Sequence, residues 1–455
     1  MSVSFSSDKS VREAYEADAS GLRMVPELVV RPESIDEVVE TLRRASADRI
    51  PVTCAGAQTS TTAASITDRG ILLSLRSLAT ISPPDEAART IRVGPGALIG
   101  DIKRRAAATG LLFAPDPTSE EESTIGGAIA CNASGARTFK YGATRKYVQA
   151  LKVVMANGDL IEFRRSNLEK NTVGYAFAHD PIDWFIGSEG TLGVIVDAEL
   201  TLLPLPSHVL GLAVFFGTED HALRFVVATR ESRTVSARCI EYFDNQAVEI
   251  ARQEAGGSIV PDTATAMVYV EEEIADDIDA TLARWAELID LIAPDFDPAV
   301  FDGESRLREA RRIRHAVPST MNERGGSHRG SGGRKVSTDW AVPYKKLGEA
   351  IRAARSLTEE SGVAQAVIYG HAGNGHPHQN FIARDAHELA TIEDVVEKTL
   401  RTVLGLGGTV AAEHGIGKLK RKWLPLQMNA LQLAMMTAVK KELDPLGILA
   451  PGNIL

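Results

Sequence analysis

Apolar residues at helical spacing follow Pro32 in PESIDEVVETLRRASADRI and stop before PVTCAG (Pro51–Gly56), which predicts a helix followed by a strand. RGILLSL (Arg69–Leu75) and RTIRVGPG (Arg89–Gly96) have strand-like apolar density, and LIGDIKRRAAATG (Leu98–Gly110) returns to helical spacing. YVQALKVVMANGDLIEF (Tyr147–Phe163) alternates about Asn157–Gly158, a dipeptide that favours a tight hairpin. Prolines in LLPLPSH (Leu202–His208) then mark a boundary. Beyond it, the strand VLGLAVFF (Val209–Phe216) precedes a helix over Thr218–Ser232, capped by Thr218 with acids in its first turn. ARCIEYF (Ala237–Phe243), AMVYVEEE (Ala266–Glu273), IDATLARWAELIDLIA (Ile278–Ala293), GRKVSTDWAVP (Gly333–Pro343), YKKLGEAIRAARSLTEES (Tyr344–Ser361) and AQAVIYGH (Ala364–His371) continue strand and helix in turn. The pattern predicts an α+β protein in three stretches: residues 1–207, an inserted α+β domain over 208–404, and a partly helical closing segment, 405–455.

Composition changes this picture little. At 455 residues the chain exceeds one ordinary core, and 44% hydrophobic with 24% charged residues is a globular composition. A net charge of −10 argues against nucleic acid or an anionic membrane as the main partner. Three cysteines (Cys54, Cys131, Cys239), widely spaced and with no CxxC, read as reduced thiols. The opening MSVSFSSDKSVREAYEADAS lacks a signal-peptide core, and no apolar run approaches the ~18 residues of a membrane span. A cytoplasmic protein is expected, with peripheral membrane association left open. The acids Glu271–Glu273, with Asp276 and Asp277, read as a solvated helix start, and GGSHRGSGGRK (Gly325–Lys335) as a flexible basic loop.

VGPGALIG (Val93–Gly100) imitates a dinucleotide-binding turn, but its spacing is wrong for GxGxxG and Pro95 removes an amide. Asp116, at about the distance of a ribose-binding acid, lies in a proline-bounded turn rather than at a strand end. Three other stretches bear on cofactor binding. CAGAQTSTTAA (Cys54–Ala64) follows a strand and is built of small and hydroxyl residues, so its amides can approach an anion. TIGGAIACNASG with a following YG, and then GSEGTLG, add two glycine-rich turns. In this order, and followed by GHAGNGHPH and EHGIGK, they resemble the flavin proteins of the vanillyl-alcohol-oxidase superfamily. Within it the likeness is to the glycolate oxidase subunit, D-lactate dehydrogenase and D-2-hydroxyglutarate dehydrogenase family, over Pro26–Leu455.

The resemblance implies a two-part FAD-binding domain with an inserted substrate (cap) domain and a C-terminal segment that returns to the FAD domain. FAD would be noncovalent. The loop Ala55, Gly56, Ala57, Gln58, Thr59 and Ser60 would hold its pyrophosphate. Pro115, Asp116, Pro117, Thr118, Gly126, Gly127, Asn132, Ser134, Gly135, Tyr141 and Gly142 would line it. Glu189, Gly190, Gly193 and Val194 would sit near the adenosine end, and Asn453 would come back to the flavin. Gln58 stands where the family commonly has glycine, so its side chain must turn from the phosphates or bond to them.

His371 and His378 are seven apart, with Gly373, Gly375 and Pro377 between them, which predicts two extended segments joined by a turn. Two imidazoles with Glu413 form a common ligand set for a divalent ion with an open position; satisfied core or loop histidines are the alternative on spacing alone. The resemblance matches His371, His378 and Glu413 to the family's metal ligands (zinc or manganese) and His414 to its general base. His376 departs from the family's usual asparagine and is expected to face substrate. Arg314, in the arginine-rich LREARRIRHAVP, resembles the carboxylate-binding arginine, with Lys335 or Arg334 adding charge; Asn380 matches a substrate contact. The expected reaction is oxidation of a D-2-hydroxy acid (lactate- or glycolate-like) to the 2-oxo acid. A 2-hydroxy diacid such as D-2-hydroxyglutarate is the alternative substrate, with a flavin-free metal hydrolase or a non-catalytic flavoprotein subunit as other classes. Quinone, cytochrome and electron-transfer flavoprotein are open as electron acceptors, and a homodimer as the assembly.

Overall fold

A computed structural model describes residues 3–166, 168–175, 178–255, 259–274, 277–292, 296–363 and 366–455. It divides into two compact units. The first contains Met1–Ser134, Gly142–Leu205 and Glu413–Leu455, and the second Gly135–Tyr141 with Pro206–Ala412.

The first unit holds two four-stranded sheets and a small pair. β1 (Phe5–Ser6), β2 (Leu28–Val30), β3 (Val52–Ala55) and β4 (Ile71–Ser74) run in the order β1-β2-β4-β3, with β2, β4 and β3 parallel. β5 (Thr90–Val93), β7 (Val148–Val154), β8 (Leu160–Arg164) and β9 (Val194–Thr201) form an antiparallel sheet ordered β5-β9-β7-β8, and β6 (Leu111–Leu112) pairs with β10 (Leu203–Pro204). The helix Ile35–Asp48 starts at Ser34, whose hydroxyl accepts from Glu37 N, and ends at Arg49 in the left-handed region. Its Val38, Leu42 and Ala45 bury against Val30, Val52, Ile71 and Leu73. The periodic face read from the sequence is therefore the core face.

The second unit is one seven-stranded antiparallel sheet. Its strands are β11 (Val209–Phe216), β12 (Ala237–Phe243), β13 (Ala266–Glu273), β14 (Ala299–Asp302), β15 (Gly332–Ser337), β16 (Ala366–Gly370) and β17 (His378–Asp385). They are ordered β14-β11-β13-β12-β16-β17-β15. On one face Phe243, Tyr269, Tyr369 and Ile382 pack with Ala310, Ile313, Val317 and Met321 of the long helix Gly303–Gly326. On the other, Phe216 meets Phe225 of the helix Glu219–Glu231, which in turn meets Trp285.

Two expectations fail here. Glu271–Glu273 close a strand rather than open a helix, and Glu271 and Glu272 are 3% and 5% exposed. Asp276 lies outside the described residues, whereas Asp277, exposed, does stand at the start of the helix Ile278–Ile292, its Oδ1 accepting from Asp279 N at 3.0 Å. Glu271 survives burial because Arg137 and Arg238 donate to it at 3.0 and 2.7 Å, so its carboxyl stays well below the usual range despite desolvation. The stretch Gly325–Lys335 is also ordered. It ends the long helix, makes a short 3₁₀ turn and enters β15. The close approach of the Lys335 backbone to Gly325, where a Cβ would lie 2.8 Å from Lys335 N, accounts for a glycine there.

Candidate functional site

In the first unit, β3 delivers the small-residue loop. Gly56 is hemmed in: a Cβ there would fall 2.1 Å from Thr124 Oγ1, so only glycine leaves room for the Thr124 side chain against this backbone. Thr59 and Ser123 hydroxyls sit 3.1 Å apart on the same side. Gln58 adopts φ 57, and its amide turns onto the backbone, donating to Tyr15 O at 2.9 Å and to Ser65 O. The loop thus presents main-chain groups and hydroxyls, a donor set that fits a pyrophosphate. The segment of Pro115, Asp116, Pro117 and Thr118 runs without regular structure, with both prolines buried and Thr118 exposed.

Gly126 and Gly127 lie in the helix Ile125–Cys131, which Asn132 ends in the left-handed region at φ 52. Gly126 packs on Pro95, the proline of the imitation turn, so that turn supports the helix. Asn132 accepts from Arg145 N at 2.9 Å, and Ser134 is buried. Gly135 and Tyr141 belong to the second unit, whereas Gly142 resumes the first. The Tyr141 hydroxyl is engaged by Glu273. Val194 is buried at the start of β9. Gly193 leaves no room for a Cβ beside Val153 and Phe185, a packing demand in its own right.

Glu189 and Asn453 organise the chain that follows His414. Glu189 is 7% exposed; its Oε1 accepts from Ile416 N at 2.6 Å and its Oε2 from Gly417 N at 2.8 Å. Burial pushes its carboxyl upward, against these two bonds and the charges of Lys420 and Lys418. Asn453 donates to Ala64 O and Glu189 O and accepts from Lys418 Nζ at 2.7 Å. Gly190 has φ 73 beside this acid. Glu413 and His414 lie in a run of bends. Both are half-buried.

In the second unit the histidines converge as the spacing predicts. β16 ends at Gly370, a 3₁₀ turn spans Ala372–Asn374, and β17 begins at His378. His371, His376 and His378 are 3%, 4% and 8% exposed, with ring centroids 4.7–5.4 Å apart. Gly370, at φ 120, admits the His378 ring, because a Cβ would lie 2.8 Å from its Cδ2. The Nε2 atoms of His371 and His378 are 3.4 Å apart. That is long for a hydrogen bond. It matches two nitrogens each about 2.0–2.1 Å from one tetrahedral ion, which would lie about 3.3–3.4 Å from each other. The residues fit a divalent metal.

Two carboxylates unremarked in the sequence complete this cluster. Glu241, on β12, contacts His371 Nδ1 through Oε1 at 2.7 Å and Arg314 Nε through Oε2 at 2.7 Å. Burial alone would raise its carboxyl, but Arg314 and His371 pull it down to about 2. Asp339 Oδ1 lies 3.1 Å from His376 Nε2, and Asp339, His376 and His378 together offer ligand atoms within 4.8 Å of one another. The faint signal for Glu241 is an acid within ARCIEYF, a strand buried along its whole length. Asp339 stands before Trp340 in the same way, at the end of an extended run.

Of the expected substrate residues, Arg314 pairs with Glu241, while Lys335 donates to Asn322 Oδ1 at 2.8 Å and burial pushes it down to about 8. Arg334 turns to Glu393. Asn380 is buried, with Oδ1 accepting from Ser337 Oγ at 2.6 Å and Nδ2 donating to Tyr369 OH at 3.1 Å. The long helix places Arg314, and β15 and β17 place Lys335 and Asn380, within one sheet system.

Comparisons with known proteins agree with a flavin chemistry. Residues 205–454 match the family described as FAD linked oxidases, C-terminal domain, and residues 26–164 match an FAD binding domain. A D-lactate dehydrogenase of Archaeoglobus fulgidus is 30% identical over 452 residues, covering 97% of this chain and 96% of that protein. A glycolate oxidase subunit of Bacillus subtilis is 29% identical over 454 residues, with 99% and 93% covered. A D-2-hydroxyglutarate dehydrogenase of Stutzerimonas stutzeri is 28% identical over 440 residues, with 94% and 89% covered. Among solved structures, an alkyldihydroxyacetonephosphate synthase has a TM-score of 0.71 at 16% identity, covering 98% of this chain and 82% of that one. That last likeness is one of fold.

Proposed function

The chain belongs to the FAD-linked oxidases, and from that premise we propose that it oxidises a small D-2-hydroxy acid, lactate- or glycolate-like, to the 2-oxo acid. It is an FAD-dependent oxidoreductase, and the flavin-free hydrolase is set aside by the FAD-binding domain. The observation that carries the substrate class is the buried pair His371–His378 with its nitrogens at ligand spacing. In this reading His371, His378 and Glu413 hold a zinc or manganese ion; Glu413 directly follows Ala412, whose N–H donates to Asp339 O at 2.8 Å. Once bound, FAD would supply a hydride acceptor and the ion would supply Lewis acidity toward an alcohol oxygen.

This chain's residues do the rest. Oxidation removes a hydride from Cα and a proton from the hydroxyl as C–O becomes C=O. His414 takes that proton on a ring nitrogen, which a neutral imidazole can do near neutral pH. Arg314 and Lys335 bind the substrate carboxylate, and His376 faces the substrate. Asn380, held between Ser337 and Tyr369, contributes a further substrate contact. The loop Ala55–Ser60 cradles the cofactor's pyrophosphate, with Gly126, Gly127, Asn132 and Ser134 beside it.

A longer 2-hydroxy diacid is the second reading, favoured by the similarity to a D-2-hydroxyglutarate dehydrogenase. The electrons pass on to a quinone, a cytochrome or an electron-transfer flavoprotein. No described helix is long and apolar enough to cross a membrane, and we place the enzyme in the cytoplasm or at the membrane surface. Anaerobic bleaching of the bound flavin across D- and L-hydroxy acids tests these statements. Bleaching by D-lactate or glycolate is expected. Faster bleaching by a diacid would transfer the assignment to the second reading, and no bleaching by any would leave a non-catalytic subunit.

A further inference from the structure

We propose that Glu241 is a positioning residue for the divalent ion, holding the His371 ring in the one tautomer and orientation that present Nε2 as a ligand. The proposal rests on the reading of His371 and His378 as metal ligands, and it adds a residue that neither sequence motif contains. Four observations carry it.

The first is register. β12 pairs antiparallel with β16 through Tyr242↔Gly370 and Phe243↔Tyr369, so one step further along the same ladder Glu241 stands across from His371. The second is contact and burial: Oε1 lies 2.7 Å from His371 Nδ1, with the two side chains 1% and 3% exposed. An ionised carboxylate only accepts hydrogen bonds, so Nδ1 must carry the proton and Nε2 the lone pair. The third is the direction of that lone pair. Nε2 is the atom that lies 3.4 Å from His378 Nε2, the separation of co-ligands on one ion.

The fourth is the anchor. The other oxygen of Glu241 accepts from Arg314 Nε at 2.7 Å, which fixes the carboxylate at both ends. Carboxylate–histidine–metal arrangements of this kind orient the ring and raise its basicity. Loss of such an outer partner typically lowers metal affinity about 10–100-fold.

The test uses FAD-loaded protein, stripped of metal and titrated with zinc against a chelating dye. Wild type is compared with Glu241→Gln, recording FAD content and the unfolding temperature of the metal-free form alongside. The expected result is a zinc Kd raised about 10–100-fold, with FAD retained and the metal-free protein still cooperatively folded. Cobalt loaded in place of zinc should show an altered visible absorption band, a readout that a merely structural role would not move. Should Glu241→Gln misfold because Arg314 loses its counter-charge, the double variant Glu241→Gln/Arg314→Met, neutral at both positions, decides by the same criteria. A zinc Kd within twofold of wild type in a folded variant overturns the proposal. Wild type that binds neither zinc nor cobalt instead overturns the metal reading beneath it.

Discussion

His414 is the residue whose role can be separated most cleanly from binding. It is assigned as base, whereas the metal is assigned to His371, His378 and Glu413, and FAD to the glycine-rich loops. His414→Ala should therefore keep both FAD and metal. It should slow flavin reduction by hydroxy acid by roughly 10²–10⁴-fold, the usual share of a positioned general base. Anaerobic stopped flow reads this in the reductive half-reaction, with reoxidation by an artificial acceptor unchanged. Reduction at near wild-type rate would pass the proton to another group, His376 first. Glu189 matters here for a reason distinct from its expected cofactor contact. Both its oxygens cap the turn at Ile416 and Gly417, two and three residues past His414, and Gly415 has φ 75 where a Cβ would meet that carboxylate at 2.4 Å.

At the scale of elements, the junction of β12 with the helix Asn245–Glu254 also places a buried acid. Asp244 caps that helix through Oδ1, which accepts from Ala247 N at 2.9 Å, while Oδ2 accepts from Ile368 N at 2.9 Å and so ties the cap to β16. Burial pushes its carboxyl up to about 7, outweighing both bonds and the more distant Arg355. The sign follows from linkage. The folded state holds this proton between about pH 4 and pH 7 and the unfolded state does not, so the contribution to stability is greatest below pH 4 and falls as pH rises to 7. Asp244→Asn cannot titrate. It should remove this decline, which for one proton is at most about 1.4 kcal/mol per pH unit. Urea unfolding midpoints from pH 4 to 8 check it, and an unchanged slope in the variant would show that other groups carry the dependence.

At the scale of the molecule, the segments assigned to FAD come from distant parts of the chain. The Ala55–Ser60 loop, the Ile125–Cys131 helix and Asn453 all belong to the first unit. Asn453 bonds to Ala64 and Glu189, so three sequence regions meet before any ligand is considered. No residue in Ala55–Ala64 is suited to link a flavin covalently, and denaturation should release free FAD into the supernatant. Flavin remaining on the precipitate would contradict this. Because FAD binds the folded state, stripping it should lower the unfolding midpoint and readdition should restore it. At 100 times Kd the recovered stability is about 2.7 kcal/mol.

Local physics was legible along the chain. Thr218 starts its helix because its hydroxyl caps the amide three residues on, and Asn157–Gly158 turns β7 into β8. The two extended segments flanking the histidine turn followed from glycine and proline spacing alone. Partners far apart in sequence were not legible. Glu271 looked solvated in an acidic run, yet Arg137 is 134 residues away and makes its burial tolerable. Glu241 reaches His371 across 130 residues through strand register, which no local pattern encodes. Gln58 could be named as a departure, but only the fold shows its amide taken up by Tyr15 and Ser65. Composition and spacing thus determined which residues could do chemistry. Tertiary structure decided which charges neighbour one another, because burial makes a carboxylate's state depend on whatever cation the fold brings within hydrogen-bond distance.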